Sequence, residues 1–108
     1  MISTSKAFDM LPAVVDLYDK LDIDGYRKKI AEENKGKKLD QMSEGINLFK
    51  FVLKNSAKVK NEVFEIVAVF EEKTIEEIKE QNFMVTINSF KTIFADKDAV
   101  SFFKEAMR

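Results

Sequence analysis

The chain of 108 residues has no cysteine, no histidine and no tryptophan, and only one proline and three glycines. Each shortage closes off a class of protein. Without cysteine there is no disulfide scaffold and no thiolate nucleophile. Without histidine the commonest acid–base group near neutral pH is missing, and the two losses together remove both usual zinc ligands. One proline and three glycines are too few for the tight turns of a sandwich or barrel, so helices are the natural architecture. No apolar run is long enough to span a bilayer, and the opening MISTSKAFDM lacks the basic segment and apolar stretch of a secretion signal. Eighteen basic residues against nineteen acidic ones leave a net charge of -1, with no global field to draw the protein to nucleic acid or anionic lipid.

What the chain does have is apolar content. Hydrophobic residues make up 45% of it and ten are phenylalanine, which is the composition of a folded core and not of a disordered chain. Its length fits one domain over residues 1–108. The expectation is an all-α, single compact domain of about six to seven short helices.

Helical spacing runs through the sequence. Phe8, Leu11, Val15, Tyr18 and Leu21 form a first stripe, with Asp9 as expected N-cap so that Pro12 falls in the first turn, where its missing N–H costs nothing. A second segment starts at Asp24, carries Tyr26 and Ile30, and stops at Asn34 and Gly36, residues that accept left-handed backbone angles. Asp40 is the expected cap of a third helix with Met42, Ile46, Phe49 and Leu53 on its stripe. Leu48, Phe51 and Val52 widen that apolar face until it requires burial on more than one side. The stretch KVKNEVFEIVAVFEEK is rich in β-branched residues, but its Glu positions do not alternate and a strand would lack partners, so a helix is expected. Thr74 and Glu77 spell a capping box for a fifth helix carrying Ile75 and Ile78. Asn82 caps a sixth with Phe83, Ile87, Phe90 and Phe94 on one face, and Asp98 caps a seventh with Val100, Phe103 and Met107.

Few residues suggest chemistry. The segment from Glu62 to Glu80 is rich in glutamate, yet metal or acid–base work needs carboxylates converging in a cleft, and these flank helix starts and solvent faces. NKGKK lacks the upstream glycine and following Ser or Thr of a phosphate-binding loop. Ser43, Ser89 and Ser101 have no histidine partner and no glycine-framed elbow. No catalytic, cofactor or metal residue is therefore expected, and the chain reads as a non-enzyme. Arg27, Lys28, Lys29, Lys35, Lys37 and Lys38 concentrate positive charge between residues 27 and 38, which leaves nucleic-acid binding as an alternative function. Neighbouring aromatics carry a different suggestion: Phe102 and Phe103 cannot both face one small core, nor can Phe49 and Phe51. Phe51, Phe102, Phe103 and Met107 are the candidate partner-binding residues, the last three forming an expected docking or self-association surface near the C-terminus.

Three stretches, SKAFDMLPAVVDLYDKL, NEVFEIVAVFEEKTIEEIKEQN and TIFADKDAVSFFKEAM, together resemble the tail assembly chaperones of long-tailed bacteriophages, in their order and character. The resemblance covers most of the chain. It implies a small helical protein of the infected host's cytoplasm, absent from the mature virion, that binds the aggregation-prone tape-measure protein and helps recruit tail-tube subunits around it. It further implies the short form of a protein that many members also make in a longer, frameshifted version. No cofactor and no membrane contact follow from it, and no family motif assigns the binding residues.

Overall fold

Ser3 opens the first helix, not Asp9: its hydroxyl oxygen accepts the Lys6 N–H at 3.2 Å, and α1 runs Thr4–Leu21. Pro12 consequently lies inside the helix. It has no N–H to offer the Phe8 carbonyl one turn back, but both residues are exposed, where water can substitute for the missing donor. The buried stripe is also turned relative to the expected one. Met10, Ala13, Val14 and Leu17 are buried along with Tyr18 and Leu21, whereas Phe8 is 59% exposed. Asp22 ends α1 in the left-handed conformation (φ 50°), and its Oδ1 then accepts the Gly25 N–H at 3.2 Å in the first turn of α2, Ile23–Glu33. One aspartate thus turns the chain between two helices.

The computed structural model describes residues 2–33, 35–36 and 41–107, and the side chains of all of these except 41–44. Gly36, beyond α2, has φ +85°, the left-handed stop its position suggested. The expected stop at Asn34, the cap at Asp40, the Met42 side chain, Lys37 and Lys38 lie outside the described residues. α3 spans Gln41–Lys54, followed by a 3-10 turn, Ser56–Lys58, and by α4, Lys60–Glu71. The β-branched segment is helical as expected, because as α4 it packs its length against α1 and sends Ile66 and Val67 into the core. Thr74 and Glu77 form the expected reciprocal cap of α5, Ile75–Glu80, with bonds of 3.1 and 3.0 Å. Asn82 caps α6, Phe83–Ala95, its Oδ1 accepting the Met84 N–H at 2.8 Å. The seventh helix, Lys97–Ala106, is capped by Asp96 and not Asp98: Asp96 stands three residues before Ala99, whose N–H it accepts at 3.0 Å. Asp98 sits in the first turn, where a negative charge favours the helix dipole.

No strand occurs among the described residues, and the fold is a single all-α domain. α1 packs mainly on α4, α3 on α6, and α4 also on α6, while α7 crosses α1, α3 and α6. Phe90, Phe94 and Phe103 are the largest fully buried side chains, with the Phe90 and Phe94 rings meeting edge to face at 4.8 Å. The Cα radius of gyration, 13.6 Å, is close to the roughly 13 Å expected of a compact chain of this length.

Two charged contacts tie α1 to α4. The Lys6 ammonium donates to the Phe70 carbonyl at 3.0 Å, at the negative end of α4. At the other end Lys20 donates to Glu62, a largely buried carboxylate, at 2.8 Å. That hydrogen bond holds Glu62 below the ordinary carboxylate range against the opposing effect of burial. Because the folded-state value is the lower one, the stabilisation is complete above the usual carboxylate range and is lost as pH falls through the lowered value. Thermal melts from about pH 6 to about pH 2 should therefore show the advantage of the native chain over Glu62→Gln shrinking on acidification. A gap that stays constant across that range would mean that the pair does not couple protonation to folding.

Candidate functional site: an apolar groove between α4, α5 and α6

An apolar opening lies where the start of α4 meets α5 and the first turns of α6. Leu53 and Ala57 close one end, Val63 and Phe64 of α4 face Ile78 of α5, and Phe83, Thr86 and Ile87 of α6 form the far wall, around a cavity of about 390 Å³. The expected stripe of α6 explains why this wall is open. Phe94 and Phe90 are buried, Ile87 is half-buried, and Phe83 at the helix start is 72% exposed, so one helical face runs out of the core into solvent. Phe83 is thus corrected from a core position to a surface one. Met84 and Val85, 49% and 44% exposed, continue the apolar surface round the first turn. Ile75 of α5, also exposed, lines a separate cavity with Asp9 and Pro12 of α1.

A polar junction fixes this wall. The Glu71 carboxylate at the end of α4 accepts from Gln81 at 3.1 Å and from Ser89 at 2.8 Å, and pairs with Lys73 at 3.2 Å. Gln81 also donates to Thr86 at 2.9 Å and accepts from Lys73 at 3.0 Å. Burial works against the Glu71 charge, but the bonds from Gln81, Ser89 and Lys73 outweigh it and keep the carboxyl below its ordinary range. One glutamate therefore ties the end of α4, the end of α5 and the body of α6 together, which sets the angle at which Phe83 stands over the groove.

The residues proposed from sequence fall elsewhere. Phe103 is 0% exposed, within the core. Phe102 is half-buried beside Phe8, ring centroids 5.4 Å apart in an edge-to-face arrangement, and lines a cavity of about 190 Å³ with Ile2 and Ala7. Met107 is half-buried against the core. Phe51 is half-buried on α3, stacked on Tyr26 of α2 at 4.1 Å. These residues do not form one surface: Phe51 belongs to the α2–α3 contact, and Phe102 to the contact of α1 with α7. What sequence reasoning missed is the FMV start of α6. Three successive apolar residues span about 200° of a helix, more than one core-facing stripe can bury, and that was the available signal.

Among the basic residues, Arg27 is turned inward, its guanidinium 5.4 Å from the Tyr18 ring centroid and 3.5 Å from the Tyr18 hydroxyl, while Lys28, Lys29 and Lys35 are exposed. Arg27 also lines a cavity of about 220 Å³ with Ile30, Leu48, Val100 and Lys104. Among the described residues no three or more Asp or Glu gather where they could hold a metal ion, and no helix is long and apolar enough to cross a membrane. No family model, curated protein or solved structure matches the chain.

Proposed function

We propose that the protein is a non-catalytic assembly chaperone that holds an amphipathic helix of its client in the groove between α4, α5 and α6. The observation that carries this reading is the exposed Phe83, which lines a cleft together with Val63, Phe64 and Ile78 and is followed by the exposed apolar residues Met84 and Val85. Helix-in-groove recognition needs an apolar trough that accepts side chains at three- and four-residue spacing, and a helical receptor can supply it without any reactive group. Together with the resemblance to phage tail assembly chaperones, it suggests the tape-measure protein as client, tail-tube subunits as further partners, and action in the host cytoplasm before the virion is complete. Self-association through the same apolar lip is compatible with this role. The nucleic-acid alternative has less behind it, since Arg27 is engaged with Tyr18 and Glu32 and Glu33 are exposed near the end of the same helix.

Co-expression of the chain with the tape-measure protein encoded near it provides the test. The client should co-purify and gain solubility, and Phe83→Asp should abolish both while leaving the circular dichroism and melting temperature unchanged, because Phe83 is mostly exposed. A client that stays insoluble and unbound beside a folded chain would end the chaperone reading.

A further inference from the structure

We propose that the groove selects helices whose apolar face is bordered by acidic side chains, an inference that rests on the helix-docking reading above. The chain as a whole is nearly neutral, at net -1, yet the groove is not: Lys60 of α4 and Lys79 of α5 line it, and no aspartate or glutamate does. The nearby acids are otherwise placed. Glu62 is hydrogen-bonded to Lys20, and Glu65 lines a separate cavity facing α1 with Asp9 and Pro12. Glu76 and Glu80 are exposed on α5 but form no part of the groove lining.

Neither Lys60 nor Lys79 forms an ion pair among the described residues, and Lys60 stands with its ammonium 6.0 Å from the ring centroid of Phe64, itself a groove residue. Lys54 and Lys58, exposed and also unpaired among the described residues, adjoin the lining residues Leu53 and Ala57 in the chain. Cations at the rim of an apolar cleft work in a medium of lower polarity than open solvent, so their field is focused on whatever enters. An apolar face supplies affinity without discriminating among amphipathic helices. The lysines supply the discrimination, attracting glutamate or aspartate beside the apolar stripe and repelling a lysine-bordered one.

Three labelled synthetic helical peptides, identical in their apolar face and bordered by glutamate, glutamine or lysine, would be titrated by fluorescence anisotropy into the full chain. The glutamate peptide should bind about tenfold more tightly than the lysine peptide at about 0.05 M salt, with the gap falling to about twofold at about 0.5 M. The double variant Lys60→Glu, Lys79→Glu should invert the order, with unchanged circular dichroism. If all three peptides bind equally, or the lysine peptide binds best, the charge selection is wrong and the docking reading survives. If none binds the folded chain, both are wrong. If the chain proves dimeric and Phe83→Asp makes it monomeric, the occupant is a second copy and the proposal is overturned in favour of self-association.

Discussion

Phe103→Ala is expected to cost about 3–5 kcal/mol of folding free energy, the range found when a fully buried aromatic side chain is truncated. Phe103 is wholly enclosed on α7, the helix that crosses α1, α3 and α6. Removing its ring leaves a void that three helices cannot close together, because each is also held by other neighbours. A domain of this size has only about 5–15 kcal/mol in total, so the variant should melt about 15–30 °C lower or fail to fold. Phe83→Ala, at the other end of the exposure scale, should melt close to the native chain. A Phe103→Ala melt within about 5 °C of the native one would mean that α7 does not seal the core.

Gly45→Ala should be destabilising by about 2–3 kcal/mol, against the sign that helix propensity alone assigns. Alanine at an exposed interior helix position gains about 0.5–1 kcal/mol over glycine. At Gly45 of α3, however, an added Cβ would run into the Phe94 carbonyl oxygen of α6. That atom belongs to the α6 backbone at the buried Phe94 and cannot turn aside, so α3 and α6 must separate along their contact. The drop in melting temperature should be about 10–20 °C. Gly25 provides the control: the atoms nearest a Cβ there belong to the Asp22 side chain, which can rotate away with the loss of one exposed hydrogen bond, so Gly25→Ala should cost less. A Gly45→Ala chain that melts higher than the native one would show that α3 does not approach α6 so closely.

Local signals in the sequence proved strong where the chemistry is local. The Thr74–Glu77 box and the Asn82 cap need only residues within one turn, and both occur as their spacing predicts. The helical nature of α4 followed from pattern and from the want of strand partners. Signals that depend on what a helix packs against were weaker. Tyr18 and Leu21 lie on both the expected and the observed stripe of α1, yet Phe8 faces outward, because aromatic size does not tell which of two overlapping stripes meets α4. Pro12 conceals the Ser3 cap by suggesting a later helix start, and a proline on the solvent face is tolerated where one on the packed face would not be. The groove was hidden for a related reason. Periodicity placed Phe83, Ile87, Phe90 and Phe94 on one face correctly, but it carries no information on how far along that face the neighbouring helices extend. The case for Phe51 and Phe102 as contacts rests on crowding within single helices, and that crowding is relieved by α2 and α1, which supply Tyr26 and Phe8 as ring partners.

α5 is a helix of six residues that buries a single side chain, Ile78, and is otherwise held by its cap and by the hydrogen bonds around Glu71. Polar links of this kind exchange readily with water, whereas the α1–α4 and α3–α6 contacts must expose apolar surface to part. Local opening of α5 therefore costs less than parting α1 from α4 or α3 from α6, since only Ile78 must leave the core. A groove with such a wall could widen for a bulkier side chain at the cost of that one core contact, and in the proposed docking role one receptor would then accept successive helical segments of a long client whose sequences differ.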